Sequence, residues 1–154
     1  MVVIILGSSS DLNWGKEIGK QLDEFGVSYK IHIASAHKTP EYLLQLLGKY
    51  ESSKQFLVYI CVAGRSNALG GFVDAQTAFP VINCPPYSDK YAGLDILSSL
   101  RMPSQVAPLT VLEPQQAALA ALKILAFSDM SLRGKINQYQ KNIKEKIISQ
   151  NKQV

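Results

Sequence analysis

Three polar side chains stand close together in "SAHK", residues 35–38, where a run of strand-forming residues ends. Histidine titrates near neutral pH and can move a proton, whereas lysine carries a fixed charge that attracts phosphate and carboxylate groups. A proton carrier beside a cation fits acid–base chemistry on an anionic substrate. His37 is therefore the candidate catalytic residue, and Lys38 is a candidate substrate-binding residue.

A second polar group, "GSSSD" at residues 7–11, follows the apolar run at the start of the chain and opens a helical pattern. Gly7 permits a sharp turn, the hydroxyl of Ser8 can donate a hydrogen bond, and a helix start offers free N–H groups to an anion. Asp11 could accept hydrogen bonds from ribose hydroxyls. The same residues could equally form a plain capping box. They match neither a P-loop nor GxGxxG, which disfavours nucleoside triphosphates and dinucleotides.

A third group, "AGRSNALGG" at residues 63–71, follows another apolar run. Glycines let a backbone approach a ligand closely. The three glycines with this expected role are Gly64, Gly70 and Gly71. Arg65 could pair with an anion. The alternative is a helix N-terminus that Ser66 or Asn67 caps.

The other histidine and the two cysteines give no sign of a reactive site. His32 lies in the middle of a strand-like run and is predicted to be structural. Cys61 and Cys84 lie in apolar runs, and neither belongs to a CxxC or Cys/His grouping that would bind a metal. We expect buried free thiols in a cytosolic protein and no metal site.

Five apolar or β-branched runs alternate with helical patterns along the chain. The predicted strands are residues 2–6, 27–34, 56–63, 79–85 and 107–113. Gly26 is the expected stop of the first helix, and Thr39 and Pro40 are the expected cap and first residue of the second. Such alternation predicts right-handed βαβ units in one doubly wound domain, residues 1–154, with a parallel sheet. Since parallel strands end at one edge, the three polar groups would line one pocket.

The net charge of +4 is unevenly distributed. From Arg133 onward, six basic residues and one acid give +5, so the rest of the chain carries about −1. The tail also carries an apolar helical stripe of Ile136, Tyr139, Ile143 and Ile147. We expect a docked C-terminal helix at about 131–150 with a solvated basic face, and neither a nucleic-acid nor a membrane partner.

Two further patterns bear on location and assembly. No apolar run approaches the roughly 20 residues that a bilayer-spanning helix needs, and the first residues lack the basic segment of a signal peptide. A cytoplasmic protein is expected. In the alanine-rich residues 117–127 only Lys123 is polar, and a helix without a wet face must be covered on several sides. This pattern predicts burial against another subunit, and hence a homo-oligomer.

The residues alone predict a cofactor-free enzyme that acts on a small phosphorylated substrate. The alternative is a flavodoxin-like binding module whose first loop holds a flavin phosphate. His37 and Lys38 favour the enzyme, because a binding module needs no proton carrier beside its ligand.

Together the motifs "GSSSD", "SAHKTP", "AGRSNALGG", "FPVINCPP", "SSLRMPS" and "ALAALKILAFSD" resemble the PurE family, the aminoimidazole ribonucleotide carboxylases of purine synthesis. The resemblance covers residues 2–129. It implies a three-layer α/β/α, Rossmann- or flavodoxin-like fold of about five strands, and a homo-oligomer, commonly an octamer, with active sites near subunit contacts. It implies aminoimidazole ribonucleotide and carbon dioxide as substrates, and no cofactor.

The resemblance also assigns roles to individual residues. The ribose phosphate portion would be held by Ser8, Asp11 and Ser35. Lys38 would bind the phosphate or the new carboxylate, while Gly64 and Ser66 would line the base and carboxylate site. His37 would shuttle the proton from C4 of the substrate.

The family has two branches, which differ in two of these motifs. The mutase branch (class I), which moves a carboxyl group from N5, usually reads "SAHR" and "GAAHLPG" where this chain reads "SAHK" and "GRSNALG". The departures at Lys38, Arg65, Ser66 and Asn67 resemble the branch that takes carbon dioxide directly (class II). Carboxylation at C4 without ATP is the expectation, with N5-carboxyaminoimidazole ribonucleotide mutase as the alternative.

Overall fold

The computed structural model describes residues 1–53 and 55–151. In it, five parallel strands form one sheet in the order β2-β1-β3-β4-β5. The strands are β1 (Val2–Leu6), β2 (Tyr29–Ile33), β3 (Val58–Val62), β4 (Val81–Asn83) and β5 (Leu109–Thr110). Each lies inside its predicted run, and β1 matches its run residue for residue.

The helices follow the predicted alternation. They are α1 (Leu12–Phe25), α2 (Pro40–Glu51), α3 (Leu69–Asp74), α4 (Leu97–Leu100), α5 (Pro114–Leu125) and α6 (Met130–Asn151). Gly26 ends α1 in the left-handed conformation, at φ 71°, which glycine adopts without steric cost. Pro40 is the first residue of α2, as predicted. Short 3₁₀ segments cover Ser9–Asp11 and Lys90–Ile96.

Helices cover both faces of the sheet. Val2, Ile4 and Leu6 of β1 pack in one core with α1, α5 and the first turns of α6. Val3 and Ile5 face the other core, with α2 and α3. A strand buried on both faces needs an unbroken apolar run, which explains the sequence of β1. The predicted three-layer α/β/α fold is confirmed.

Helix α5 is covered from within the chain. It packs along α1, and α6 lies against it on another side. Ala117, Ala121 and Leu122 are fully buried, and Lys123 is exposed. The prediction that α5 needs another subunit was therefore wrong in its reason, because a stretch of α6 supplies the covering surface.

Helix α6 docks only along its first part. Leu132 and Ile136 are buried, and the rings of Tyr139 and Phe25 pack edge-on with centroids 5.3 Å apart. From residue 141 to residue 151 every side chain is exposed. The predicted stripe thus docks at Ile136 and Tyr139 but not at Ile143 or Ile147. Within residues 1–53 and 55–151, no helix has the length and apolarity to cross a membrane.

Candidate functional site

The strand order creates a crevice between β1 and β3. After β1 the chain passes to α1 on one face of the sheet, and after β3 it passes to α3 on the other. Ligands of open α/β sheets bind at such switch points, beyond the carboxyl ends of the strands. A cavity of about 560 Å³ opens here.

All predicted site residues line this cavity. They are Ser8, Asp11, Ser35, His37, Lys38, Gly64 and Ser66. They come from three loops, which we call the first loop (residues 7–11), the second loop (35–39) and the third loop (63–67). The lining also includes residues 86–90, the fourth loop, which the sequence interpretation left out.

The first loop passes close to the third loop, because β1 and β3 are neighbours in the sheet. A Cβ on Gly7 would lie 3.1 Å from the Cβ of Ala63, so a larger residue would push the first and third loops apart. The Ser8 hydroxyl accepts hydrogen bonds from the backbone N–H and the hydroxyl of Ser10, at 3.3 and 3.0 Å. This serine cap on the 3₁₀ turn agrees with the capping interpretation, and it coexists with exposure to the cavity.

Asp11 is half-buried at the floor of the first loop. Burial raises the pKa of its carboxyl group, while the Ser10 hydroxyl, whose one proton serves either Ser8 or Asp11, and the backbone of Ser8 lower it in part. A carboxylate that has lost water regains favourable interactions when it accepts hydrogen bonds. The hydroxyls of a sugar supply such donors.

The second loop is a tight turn that presents its tip to the cavity. The Thr39 hydroxyl accepts from the N–H of Ser35 at 3.0 Å, and the Ser35 hydroxyl accepts from the N–H of Lys38 at 3.2 Å. Thr39 occupies the N-cap position of α2, but its side chain makes no cap hydrogen bond. The predicted cap is therefore wrong in its contact, since the hydroxyl closes the turn instead. His37 and Lys38 lie exposed at the tip.

The backbone of the third loop is hydrogen-bonded to α4 and to the segment before it. Arg65 has a left-handed φ of 58°. Its N–H donates to Asp95 Oδ2 at 3.0 Å, and its carbonyl accepts from the Ser98 hydroxyl at 2.7 Å. Helix α3 begins later than predicted, with Ala68 at its N-cap rather than Ser66 or Asn67.

Two of the three glycines around the third loop do not face a ligand. A Cβ on Gly70 would lie 1.6 Å from Asn83 Oδ1, and one on Gly71 would lie 3.0 Å from Met102 Sδ. Of these three glycines, only Gly64 lines the cavity. The expectation of close ligand approach was wrong for Gly70 and Gly71, which are small because protein atoms pack against them.

The fourth loop brings a further polar wall to the cavity. Its Tyr87 donates a hydrogen bond to Glu113 and packs edge-on against Trp14, with ring centroids 5.5 Å apart. Asp89 and Lys90 follow on the cavity side. The criterion that singled out the other loops, polar residues just beyond a strand end, applies equally to "PPYSDK" after β4 and would have found them.

The charges around the cavity favour an anionic ligand. Lys38, Arg65 and Lys90 contribute three positive charges, against two negative charges from Asp11 and Asp89. A concave site with one excess sign of charge concentrates ligands of the opposite sign. A sugar phosphate offers hydroxyls for the carboxylates and an anion for the cations.

His32 and the cysteines lie outside the cavity, as predicted. His32 Nε2 is 2.6 Å from the hydroxyl of Tyr50, and burial, Lys30 and Lys49 lower the pKa of the imidazole. Cys61 and Cys84 are free and buried. Burial raises the pKa of both thiols, that of Cys84 to about 12, so they stay protonated at neutral pH.

The chain resembles known proteins over nearly its whole length. A phosphoribosylaminoimidazole carboxylase of Archaeoglobus fulgidus is 54% identical over 145 residues, which are 94% of this chain and 79% of that protein. A phosphoribosylaminoimidazole carboxylase of Treponema denticola is 46% identical over 148 residues, 96% of this chain and 93% of that protein.

A solved structure extends the likeness from sequence to fold. The crystal structure of Treponema denticola PurE matches with a TM-score of 0.97 and 44% identity, over 99% of this chain and 97% of that chain. The family model of AIR carboxylase matches residues 1–146. With its fold, its cavity at the switch point and this extent of similarity, the chain belongs to the AIR carboxylase family.

Proposed function

We propose that this protein is a phosphoribosylaminoimidazole carboxylase that adds carbon dioxide to C4 of aminoimidazole ribonucleotide without ATP. One observation carries the proposal. Residues singled out in three separate stretches of sequence line a single cavity, in a chain of the AIR carboxylase family. The flavodoxin-like binding module has no comparable support.

The reaction needs a proton acceptor and little else. C4 of the electron-rich aminoimidazole ring attacks the carbon of carbon dioxide. A C–C bond forms, one C–O π bond breaks, and its electrons pass to oxygen to give a carboxylate. The proton on C4 then leaves so that the ring regains aromaticity. His37, at the tip of the second loop, accepts that proton and returns it when the reaction runs backwards. Each direction conserves charge and uses no redox partner.

The binding roles follow the chemistry of the loops. Ser8 and Asp11 of the first loop and Ser35 of the second hold the ribose phosphate portion. Lys38 balances the charge of the phosphate or of the new carboxylate. The backbone at Gly64 and the hydroxyl of Ser66 line the base and the carboxylate.

The decisive experiment supplies one carboxyl donor at a time. Purified protein is mixed with aminoimidazole ribonucleotide and bicarbonate-derived carbon dioxide, without ATP, and the C4-carboxylate is followed by absorbance. We expect product in this mixture, and decarboxylation of added C4-carboxylate in the reverse direction. Product only from N5-carboxyaminoimidazole ribonucleotide would assign the protein to the mutase branch.

We further propose that the protein is a cytoplasmic homo-oligomer, an octamer by resemblance to its family. Tyr91, Leu94 and Leu97 are 78%, 62% and 49% exposed, and Leu109 on the adjoining strand is 52% exposed. Exposed apolar side chains of this size, three of them within residues 91–97, fit a surface that another subunit covers. Light scattering at micromolar concentration should give a mass several times 16.9 kDa. A mass equal to one chain would contradict this proposal and leave the reaction untouched.

A further inference from the structure

Three buried polar side chains form a cluster behind the third loop. Asn67, Asn83 and Ser99 are 3%, 0% and 2% exposed. The side-chain amide of Asn67 donates to Ser99 Oγ at 2.9 Å and lies 3.5 Å from Asn83 Oδ1. The amide of Asn83 lies 3.5 Å from the Ser99 carbonyl. The cluster therefore ties the third loop to β4 and α4.

The cluster continues into the backbone of the third loop. The N–H of Asn67 donates to Ser98 Oγ at 2.9 Å, and the Ser98 hydroxyl lies 2.7 Å from the carbonyls of both Arg65 and Asp95. Its single proton can serve one carbonyl at a time. Arg65 and Asn67, the residues on either side of Ser66, are thus fixed by α4 and the segment before it, and Arg65 has a strained φ.

The cluster is not the arrangement that stability alone would favour. Oδ1 of Asn67 is buried and has no hydrogen-bond partner among the described residues. Burying an acceptor without a partner is unfavourable, and apolar side chains of similar shape would fill the same space at lower cost. The cluster also requires Gly70, since any Cβ there would overlap the Asn83 amide. Hydrogen bonds depend on direction, whereas apolar contacts do not. The cluster therefore holds the third loop in one orientation.

We propose that Asn67, Asn83 and Ser99 are positioning residues for carboxylation. They hold Gly64 and Ser66 where the carboxyl group adds to the substrate. This inference rests on the proposed function, because it assigns the third loop to the reacting end of the substrate. None of the three lines the main cavity, although Ser99 lines a smaller neighbouring pocket together with Gly64, and they act on the reaction through the third loop.

The expected signature is a loss of rate with little loss of binding. The first and second loops hold the ribose phosphate and do not depend on the cluster, so the dissociation constant of the ribonucleotide should change less than about threefold. A misplacement of about 1 Å can lower a rate about a hundredfold. We expect Asn67→Ala to lower kcat by at least about tenfold, and Ser99→Ala by somewhat less.

The test combines the two single variants with the double variant Asn67→Ala/Ser99→Ala. Since both residues act through one contact, the loss of kcat in the double variant should be clearly smaller than the product of the single losses. Ribonucleotide affinity is measured by calorimetry and folding by thermal denaturation. Tyr59→Phe is the matched control: it removes a fully buried hydroxyl that donates to Glu51 at 3.1 Å, away from the cavity.

The outcomes separate this inference from the function on which it rests. If the unaltered protein does not carboxylate aminoimidazole ribonucleotide, the proposed function fails. If it does, and Asn67→Ala and Ser99→Ala keep their kcat, or lose it no more than Tyr59→Phe does at equal loss of thermal stability, the positioning role is wrong. If Asn67→Ala does not fold, Ser99→Ala carries the test, because it deletes one oxygen atom and leaves Asn67 in place.

Discussion

The two edges of the sheet treat polar residues in opposite ways. Near the amino-terminal edge, Thr77 and Tyr59 both donate to Glu51, and within β2, outside the cavity, His32 contacts Tyr50. At the carboxyl edge, the side chains of His37 and Lys38 are exposed at the cavity, and their imidazole and ammonium groups make no hydrogen bond to any described residue.

This difference separates groups that maintain the fold from groups that can serve a ligand. A buried polar group with an internal partner is already satisfied, and a ligand would have to displace that partner. A group whose capacity is unused can form new hydrogen bonds on binding. The contrast is clearest in the two histidines, which lie five positions apart in sequence: His32 is half-buried against Tyr50, whereas His37 is exposed at the cavity.

The largest expected effect is on turnover at the carboxyl edge. His37→Asn keeps a polar side chain but cannot take the proton from C4, so we expect kcat to fall by about a hundredfold or more. Ribonucleotide affinity, measured by calorimetry, should stay within a few-fold. His32→Gln is the matched control, since it removes the other imidazole, and it should keep near-normal kcat. A near-normal rate for His37→Asn would remove that residue from the mechanism.

The next effect concerns two glycines near opposite edges. Gly70→Ala should lower the free energy of unfolding by about 2–3 kcal/mol, the upper part of the usual range for overpacking, because the new Cβ would overlap the buried Asn83 amide. Gly48→Ala, in the exposed part of α2 with no atom within 4 Å of the new Cβ, should raise it by about 0.5–1 kcal/mol. Urea denaturation measures both changes. Equal effects would show that the contact at Gly70 is relieved by a small shift.

A smaller effect is expected for the cation of the second loop. Lys38→Ala should weaken binding of the ribonucleotide by about three- to tenfold, because a charge-assisted contact at a partly wet site contributes modestly. Lys49→Ala removes an exposed lysine near the end of α2 and should leave the affinity unchanged. Calorimetry with the same ligand compares them. An unchanged affinity for Lys38→Ala would place that side chain in water in the complex.

Periodicity and strand-end logic predicted much of this molecule for physical reasons. The unbroken apolar run of β1 has one stable placement, the middle of a covered sheet, and polar residues after parallel strands must meet at one edge. That is why Ser8, His37 and Ser66 could be brought together without a structure. The fourth loop obeys the same rule, since the polar residues of "PPYSDK" follow β4 directly.

Other features depend on contacts that are remote in sequence. Nothing local to Gly70 reveals that Asn83 occupies the space beside it, and nothing local to Thr39 reveals that its hydroxyl closes the second loop. The apolar composition of α5 and the apolar stripe of α6 are both visible in the sequence. That α6 packs against α5 depends on the path of the chain after Phe127. Such partners are set by tertiary packing, which a single-sequence pattern does not encode.

The smallest expected effect is a pH dependence of stability that arises from His32, within β2. Burial and the charges of Lys30 and Lys49 lower the pKa of His32 below its ordinary value. In the unfolded chain the pKa of a histidine is about 6.5. The unfolded chain therefore binds a proton more readily than the folded chain. Above about pH 7.5 the imidazole is neutral in both states, and it makes no pH-dependent contribution to stability.

As the pH falls through the unfolded value, protonation favours the unfolded chain, so His32 lowers the free energy of unfolding until the folded imidazole also protonates. His32→Gln keeps a side chain that can accept from Tyr50 but removes this titration. The urea midpoint of the unaltered protein should therefore fall more between pH 7.5 and pH 5 than that of His32→Gln. The difference should be small, because the ring is partly exposed and solvent screens the two lysines. If the two urea midpoints fell by the same amount, His32 would protonate equally well in both states, and its folded surroundings would not disfavour the charged imidazole.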